Sequence, residues 1–455
     1  MMALPNSLRA DAERIWQAAI GAVDPQALLA GAPAELLGPL PAGRIVVVGA
    51  GKAAAGMAAG VEGLLAAAEF PTARLSGLVS VPEGCGRNLA SIEVRQTRPV
   101  GINLPTDRVV TATAAMLASL GRLRPDDLAV ALVTGGGSAL LAAPRDGLTL
   151  DDKIAVTRFL SAAGAGIGAL NCVRRATSAV KAGGLARACT AGRLVVLVLS
   201  DVIGDPLDLI ASGPCMPTPA EPGVALDLLE HFGAIGVAPR LVASLRRDFA
   251  KARSPQPSAP AGPNWQTAAG CRVSHRIVGN NETAVEAAAA AARSLGYETI
   301  VRRAAPDTPA PLNDAEAIGL RLAVEGSELA ARATQDGRPR AVIEGGEATV
   351  VIPADHGLGG RNQQTVLAAV AAAANWPAGL LVASLGTDGE DGPTDAAGGV
   401  ADATVARTLG ADRAALARAL ARRDALPALE RAAGLVRTGP TGTNVADVRI
   451  ILARP

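Results

Sequence analysis

The chain reads as an α/β protein of two domains on mainly parallel sheets, on three observations. Short continuous apolar runs are bounded by turn residues, alanine-rich stretches of helical length lie between them, and glycines gather where the runs end. The runs fall at residues 44–48, 75–81, 128–133 and 194–199 in the first half, and at 341–343 and 380–384 in the second. Continuous rather than alternating apolar character suits strands buried on both faces. The helical stretches at 53–69, 108–120, 150–163, 281–295 and 315–335 supply the crossovers that parallel strands need. At 252–264 proline and small residues crowd together without periodicity, as in a linker, so domains are expected at 1–255 and 256–455. No internal repeat of solenoid length is present.

Composition removes several functions. Of 455 residues, 49% are hydrophobic but only 2% aromatic, so the cores are aliphatic and few rings are available to stack on bases. A net charge of +1 gives no field that would gather a polyanion, which counts against nucleic acid as a partner. Five cysteines without CxxC spacing indicate neither a disulfide framework nor a zinc site, and residues 1–14 are charged rather than apolar. A cytoplasmic protein is expected. Residues 362–387 carry no charge before Asp388 and mean hydropathy is +0.28, but Asn375, Pro377 and Gly379 cut that stretch into helix, turn and buried strand. No membrane partner is expected either.

Six loops carry the chemistry. Gly49, Ala50, Gly51 and Lys52 follow the first strand, where glycines permit a tight turn and a phosphate or carboxylate can approach the helix start. The string also matches GxGxxA, a dinucleotide fingerprint, but holds a lysine inside the turn and lacks an acidic residue at the usual spacing. Gly135, Gly136, Gly137 and Ser138 follow the third strand as a second run of backbone N–H donors. Asp201 and Asp205 follow the fourth; Asp205 precedes Pro206 as a turn former, leaving Asp201 to hold Mg²⁺ or accept a proton. In the second half, Gly359, Gly360 and Arg361 open a helix, and Asp388, Glu390, Asp391 and Asp395 crowd the loop after the last run. Asn444 ends a further glycine-punctuated loop. Three histidines, without HExxH or a GxSxG serine, support neither zinc hydrolysis nor a Ser-His-Asp triad. Anion-binding loops with one lysine, one arginine and several carboxylates suit phosphoryl transfer, in which positioning and charge neutralisation supply the catalysis.

Six segments together resemble the type 2 glycerate kinases, including their C-terminal MOFRL module. They are VVVGAGKAAAGMA (46–58), TGGGSALLAAP (134–144), LSDVIGDPLDLIASGP (199–214), GGEATV (345–350), GGRNQ (359–363) and LGTDGEDGPTDAAGG (385–399). Their order and spacing cover nearly the whole chain. The resemblance implies a Rossmann-like first domain, a second containing the MOFRL module at about 335–450, and an active site in the interdomain cleft. It implies phosphorylation of D-glycerate at its 2-hydroxyl by ATP with Mg²⁺, and leaves a homodimer open. Lys52, Arg361 and Asp388 fall where that family has its cleft lysine, arginine and aspartate. Lys52 and Arg361 are expected to neutralise the phosphoryl group or acceptor carboxylate, with Asp201 and Asp388 holding Mg²⁺ or orienting the hydroxyl. Gly49, Gly51, Gly135, Gly136, Gly137, Ser138, Gly359, Gly360 and Asn444 are expected to bind the nucleotide and its phosphates. Two departures stand out: Arg98 precedes Pro99, and Ala176 follows Arg174 and Arg175, where the family usually has histidines. They keep open a related hydroxy acid as acceptor or a weakened small-acid-binding relative. A nicotinamide-dependent hydroxypyruvate reductase is the competing enzyme class.

Overall fold

The computed structural model describes residues 7–99, 102, 104–219, 221–251, 262–306 and 312–455. They divide into two units, 28–278 (the Lys52 unit) and 1–27 with 279–455 (the Arg361 unit). This division differs from the expected segments 1–255 and 256–455 at both ends. The linker residues 252–261 lie outside the described residues. Helix Leu8–Ala22 belongs with the second unit because it buries Ile15, Trp16 and Ala19 there. Its Asp11 carboxylate accepts from Tyr297 and Arg454, and Arg9 donates to Asp402.

The Lys52 unit contains β1 (Ile45–Ala50), β2 (Leu75–Pro82), β3 (Ile92–Arg98), β4 (Leu128–Thr134), β5 (Arg193–Leu199), β6 (Asn264–Gln266) and β7 (Arg272–Gly279). Their order is β3-β2-β1-β4-β5-β7-β6. β1 pairs parallel with both β2 and β4, β2 with β3, and β4 with β5. All of β1 and β4 is buried, as continuous Val, Leu and Ala require. β3, β6 and β7 carry polar residues in their runs, which hid them from an apolar-run reading. Helices Leu150–Ala162, Ile167–Ala176, Pro222–His231 and Pro239–Lys251 close round a separate core of Val156, Leu160, Leu229, Leu241 and Leu245.

The Arg361 unit contains β8 (Glu298–Arg302), β9 (Arg340–Gly346), β10 (Leu380–Gly386), β11 (Gly398–Ala401), β12 (Leu435–Val436) and β13 (Asp447–Ala453), ordered β12-β11-β10-β13-β9-β8. Here the expectation of a mainly parallel sheet is corrected. β8 and β9 are parallel, but β13 enters antiparallel between β9 and β10, and β10, β11 and β12 are antiparallel too. β13 escaped notice because Arg449 interrupts its apolar run. Arg449 is 3% exposed and donates to Glu344 on β9, its cross-strand partner, at 2.7 Å. The uncharged stretch resolves into helix Arg361–Ala372 and β10. Among the described residues, no helix is long and apolar enough to cross a membrane.

Candidate active site

In the Lys52 unit the strand order runs outward from β1 through β2 to β3 on one side, and from β4 to β5 on the other. The reversal of direction therefore lies between β1 and β4, and in open α/β sheets ligands bind beyond the carboxyl ends of strands at such a point. The loops carrying Lys52 and Gly135–Gly137 leave from there. Gly51 has φ +138°, and a Cβ on it would come within 2.4 Å of the Thr134 side chain and 2.9 Å of the Gly135 carbonyl. Only glycine lets the two loops lie this close. The Lys52 N–H donates to the Gly135 carbonyl at 2.9 Å, and the Lys52 Cγ lies 3.6 Å from where a Gly136 Cβ would be. The aliphatic stem thus runs over Gly136, itself left-handed at φ +76°. Gly49 sits inside β1, where its bare Cα lets β4 approach. Asp201 follows β5 on the same sheet edge and is half-buried.

Residues that the sequence did not single out hold this edge together. The Lys181 ammonium, wholly buried, donates to the carbonyls of Ser138 at 3.0 Å and Ala211 at 3.3 Å. Ser138 Oγ and Ser212 Oγ are 2.9 Å apart, and Ser212 donates to Asn171 Oδ1. Ala182, Ala211 and Ser212 have φ of 51°, 51° and 63°, a left-handed backbone costing on the order of 1 kcal/mol or more per non-glycine residue. The turn is kept by Ala182 N–H donating to the Ser212 carbonyl and Gly183 N–H to that of Gly213. Strain of this kind persists where the surroundings over-determine it, as they do beside binding loops.

Lys153 donates to Thr177 through its carbonyl and hydroxyl, at 3.0 and 3.1 Å. Burial, then the charges of Arg174 and Arg145, pull its amine down to about 7; burial, Lys153 and Arg174 pull Lys181 well below the usual lysine range. An unfolded lysine keeps its proton to about 10.4. Between pH 7 and that value the unfolded chain holds more protons, so stability rises with pH through this window and the full penalty applies below it. We expect the parent to gain roughly 2 kcal/mol between pH 7 and 9 relative to Lys153→Met, compared by urea denaturation. Equal pH dependence in the two proteins would count against the depressed lysine.

In the Arg361 unit the arginine starts a helix, as expected, but is engaged. Its Nε and Nη2 donate to Asp447 at 2.8 and 2.9 Å, and its Nη1 to Glu347 at 2.9 Å. Burial alone would lower the guanidinium, but the two carboxylates outweigh it and hold it above its ordinary value. Asn362 donates to Asp447 and Asp391, and accepts from Ser384. Asp391 reaches from the loop after β10 to cap the helix, accepting the N–H groups of Asn362 at 3.0 Å and Gln363 at 2.8 Å. Burial pushes its carboxyl up to about 6 against those two donors. Gly360 makes this possible: a Cβ there would lie 2.2 Å from the Asp391 carboxyl carbon, while one on Gly359 would press on Ala425. Both glycines thus have packing reasons of their own.

Burial also raises Glu347; Arg361 opposes it, while the charges of Asp447 and Asp388 add to it. Asp388 is half-buried and accepts the Glu390 N–H. Its loop is braced because Thr387 Oγ1 donates to the Ala446 carbonyl and accepts the Val445 N–H, beside Asn444. Among the described residues no three His, Cys, Asp or Glu side chains are grouped for a metal. Mg²⁺ needs fewer, since it keeps several waters and takes one or two carboxylates with phosphate oxygens. Asp388 and Glu347, mutually repelling and both partly exposed, fit such a pair. Asp447 has its oxygens committed to Arg361 and Asn362. Asp447, Glu347 and Lys181 were missed as site residues: Asp447 is legible only once β13 is known, and nothing local marks Lys181 as buried.

Two family models match, a domain of unknown function (DUF4147) at residues 11–246 and the MOFRL family at 340–447. The chain is 33% identical to a glycerate kinase of Homo sapiens, covering 100% of this chain and 95% of that one. It is 36% identical to a putative hydroxypyruvate reductase of Agrobacterium vitis, covering 98% and 94%. A crystal structure of glycerate kinase from Thermotoga maritima superposes with a TM-score of 0.78 at 31% identity, covering 99% of this chain and all of that one.

Proposed function

Because this chain belongs to the glycerate kinase family, whose DUF4147 and MOFRL models it matches in turn, we propose that it transfers the γ-phosphoryl group of ATP to the 2-hydroxyl of D-glycerate, giving 2-phosphoglycerate and ADP. The observation that carries this reading is the lysine-bearing glycine edge between β1 and β4. Lys52 supplies a cation whose stem is fixed over Gly136, and the loop at Gly135–Gly137 would offer backbone N–H groups to phosphoryl oxygens. In the Arg361 unit, Asp388 and Glu347 would hold Mg²⁺, which when bound neutralises phosphate oxygens. Arg361 holds Glu347 in place through its Nη1 hydrogen bond at 2.9 Å. Asp388 or Asp201 would orient the attacking hydroxyl.

The reductase reading draws on GxGxxA and on the name of the Agrobacterium relative. The second glycine of that fingerprint must leave its Cα open to a pyrophosphate. At Gly51 that space is filled by Thr134 and the carbonyls of Thr134 and Gly135, 2.4 to 2.9 Å from the Cβ position. Incubation with D-glycerate, ATP and Mg²⁺ should release ADP and place phosphorus on carbon 2 by NMR, whereas hydroxypyruvate should not oxidise NADH or NADPH. Nicotinamide oxidation without ADP formation would reverse the assignment.

A further inference from the structure

Lys153, Lys181, Arg174 and Arg145 act on one another electrostatically. Of these, Arg145 has a carboxylate partner, Asp248, at 2.8 Å. Among the described residues neither Arg174 nor Arg175 has a hydrogen-bond or ion-pair partner, and the Arg175 Nη1 atom is fully buried without one. A buried lysine relieves such crowding by giving up its proton, whereas an arginine cannot. The last turn of helix Ile167–Ala176 offers these cations dipole compensation, but not the carboxylate partner that a desolvated charge needs.

The position of these cations ties them to the glycine edge. Asn171 lies three and four residues before Arg174 and Arg175, on the same side of the helix. Asn171 Oδ1 accepts from Ser212, which in turn meets Ser138 at the end of the glycine loop. We propose that Arg174 and Arg175 form an oxyanion site beside that loop, taking the acceptor's carboxylate or a phosphoryl group of the nucleotide. The proposal rests on the kinase reading for its choice of ligands, and on the orphaned guanidinium for the site itself.

Thermal melting of the full chain in inorganic phosphate tests the site without turnover, and steady-state kinetics identifies the ligand. Phosphate should raise the melting temperature of the parent, and Arg174→Gln and Arg175→Gln should lose that shift while melting no lower than the parent without phosphate. In kinetics each variant should raise one KM about ten- to one-hundred-fold, the loss of one or two charge-assisted hydrogen bonds, with kcat little changed. A raised KM for D-glycerate assigns the carboxylate, and a raised KM for ATP assigns the phosphoryl group. Should either variant fail to fold, Arg174→Lys keeps the charge and must show the same KM selectivity in weaker form. Equal phosphate stabilisation in parent and variants, with both KM values within about two-fold, would overturn the site. A parent that turns over nothing, yet is stabilised by phosphate through Arg174, would keep the site and remove the kinase.

Discussion

Lys52→Ala should lower kcat by about 10²–10³-fold, the scale of removing one preorganised charge donor from a transition state, while changing stability by less than about 1 kcal/mol. The separation follows from how the residue is held. Its structural bond is made by the main chain, the N–H to the Gly135 carbonyl at 2.9 Å, and alanine keeps it. What is lost is the ammonium and the stem over Gly136. The side chain is only half-buried, so truncation opens no closed cavity. Steady-state kinetics together with urea denaturation checks both halves. Turnover like that of the parent would remove Lys52 from the chemistry, and a large loss of stability would mean that its stem belongs to the fold.

Arg361→Ala should have the opposite profile, losing activity and stability together. The substitution removes three hydrogen bonds and leaves Asp447, wholly buried, without its countercharge. Breaking a buried pair from one side costs on the order of 3–5 kcal/mol, most of it the uncompensated charge. The double variant Arg361→Met, Asp447→Asn should therefore recover most of the stability, because the amide still accepts from Asn362 and carries no charge. It should not recover turnover, since Glu347 loses the cation that positions it. Denaturation midpoints of parent, single and double variants measure the coupling directly. A double variant as unstable as the single one would locate the effect in packing, and an active one would take Arg361 out of catalysis.

The parallel part of the fold was legible because burial on both faces leaves a mark that one sequence shows: β1 and β4 are wholly buried, β5 is apolar after Arg193, and β2 is broken only by small residues such as Ser76 and Ser80. β13 is equally buried but carries Arg449 in the middle, whose partner Glu344 lies 105 positions earlier. No local pattern reports such a pair. The same limit shaped the site. Lys52, Asp201, Arg361 and Asp388 were visible as charged residues at strand and helix ends, but Arg361 was read as a cation offered to ligand when two carboxylates already hold it. The capping role of Asp391 depends on a tertiary approach of 2.8 Å to a helix 28 residues away. The unpaired state of Arg174 and Arg175 exists only once their surroundings are folded.

The assignment of helix Leu8–Ala22 to the Arg361 unit has a consequence during synthesis. That helix is made before the strands it serves, which follow only after the whole continuous span 28–278. Meeting them closes a loop of about 260 residues, and closure entropy falls as the intervening chain becomes compact. The Lys52 unit, contiguous and rich in near-neighbour parallel pairings, is the piece able to fold while translation continues. Until those strands are made, the nascent protein carries an amphipathic helix whose Ile15 and Trp16 await their place, a natural client segment for a chaperone.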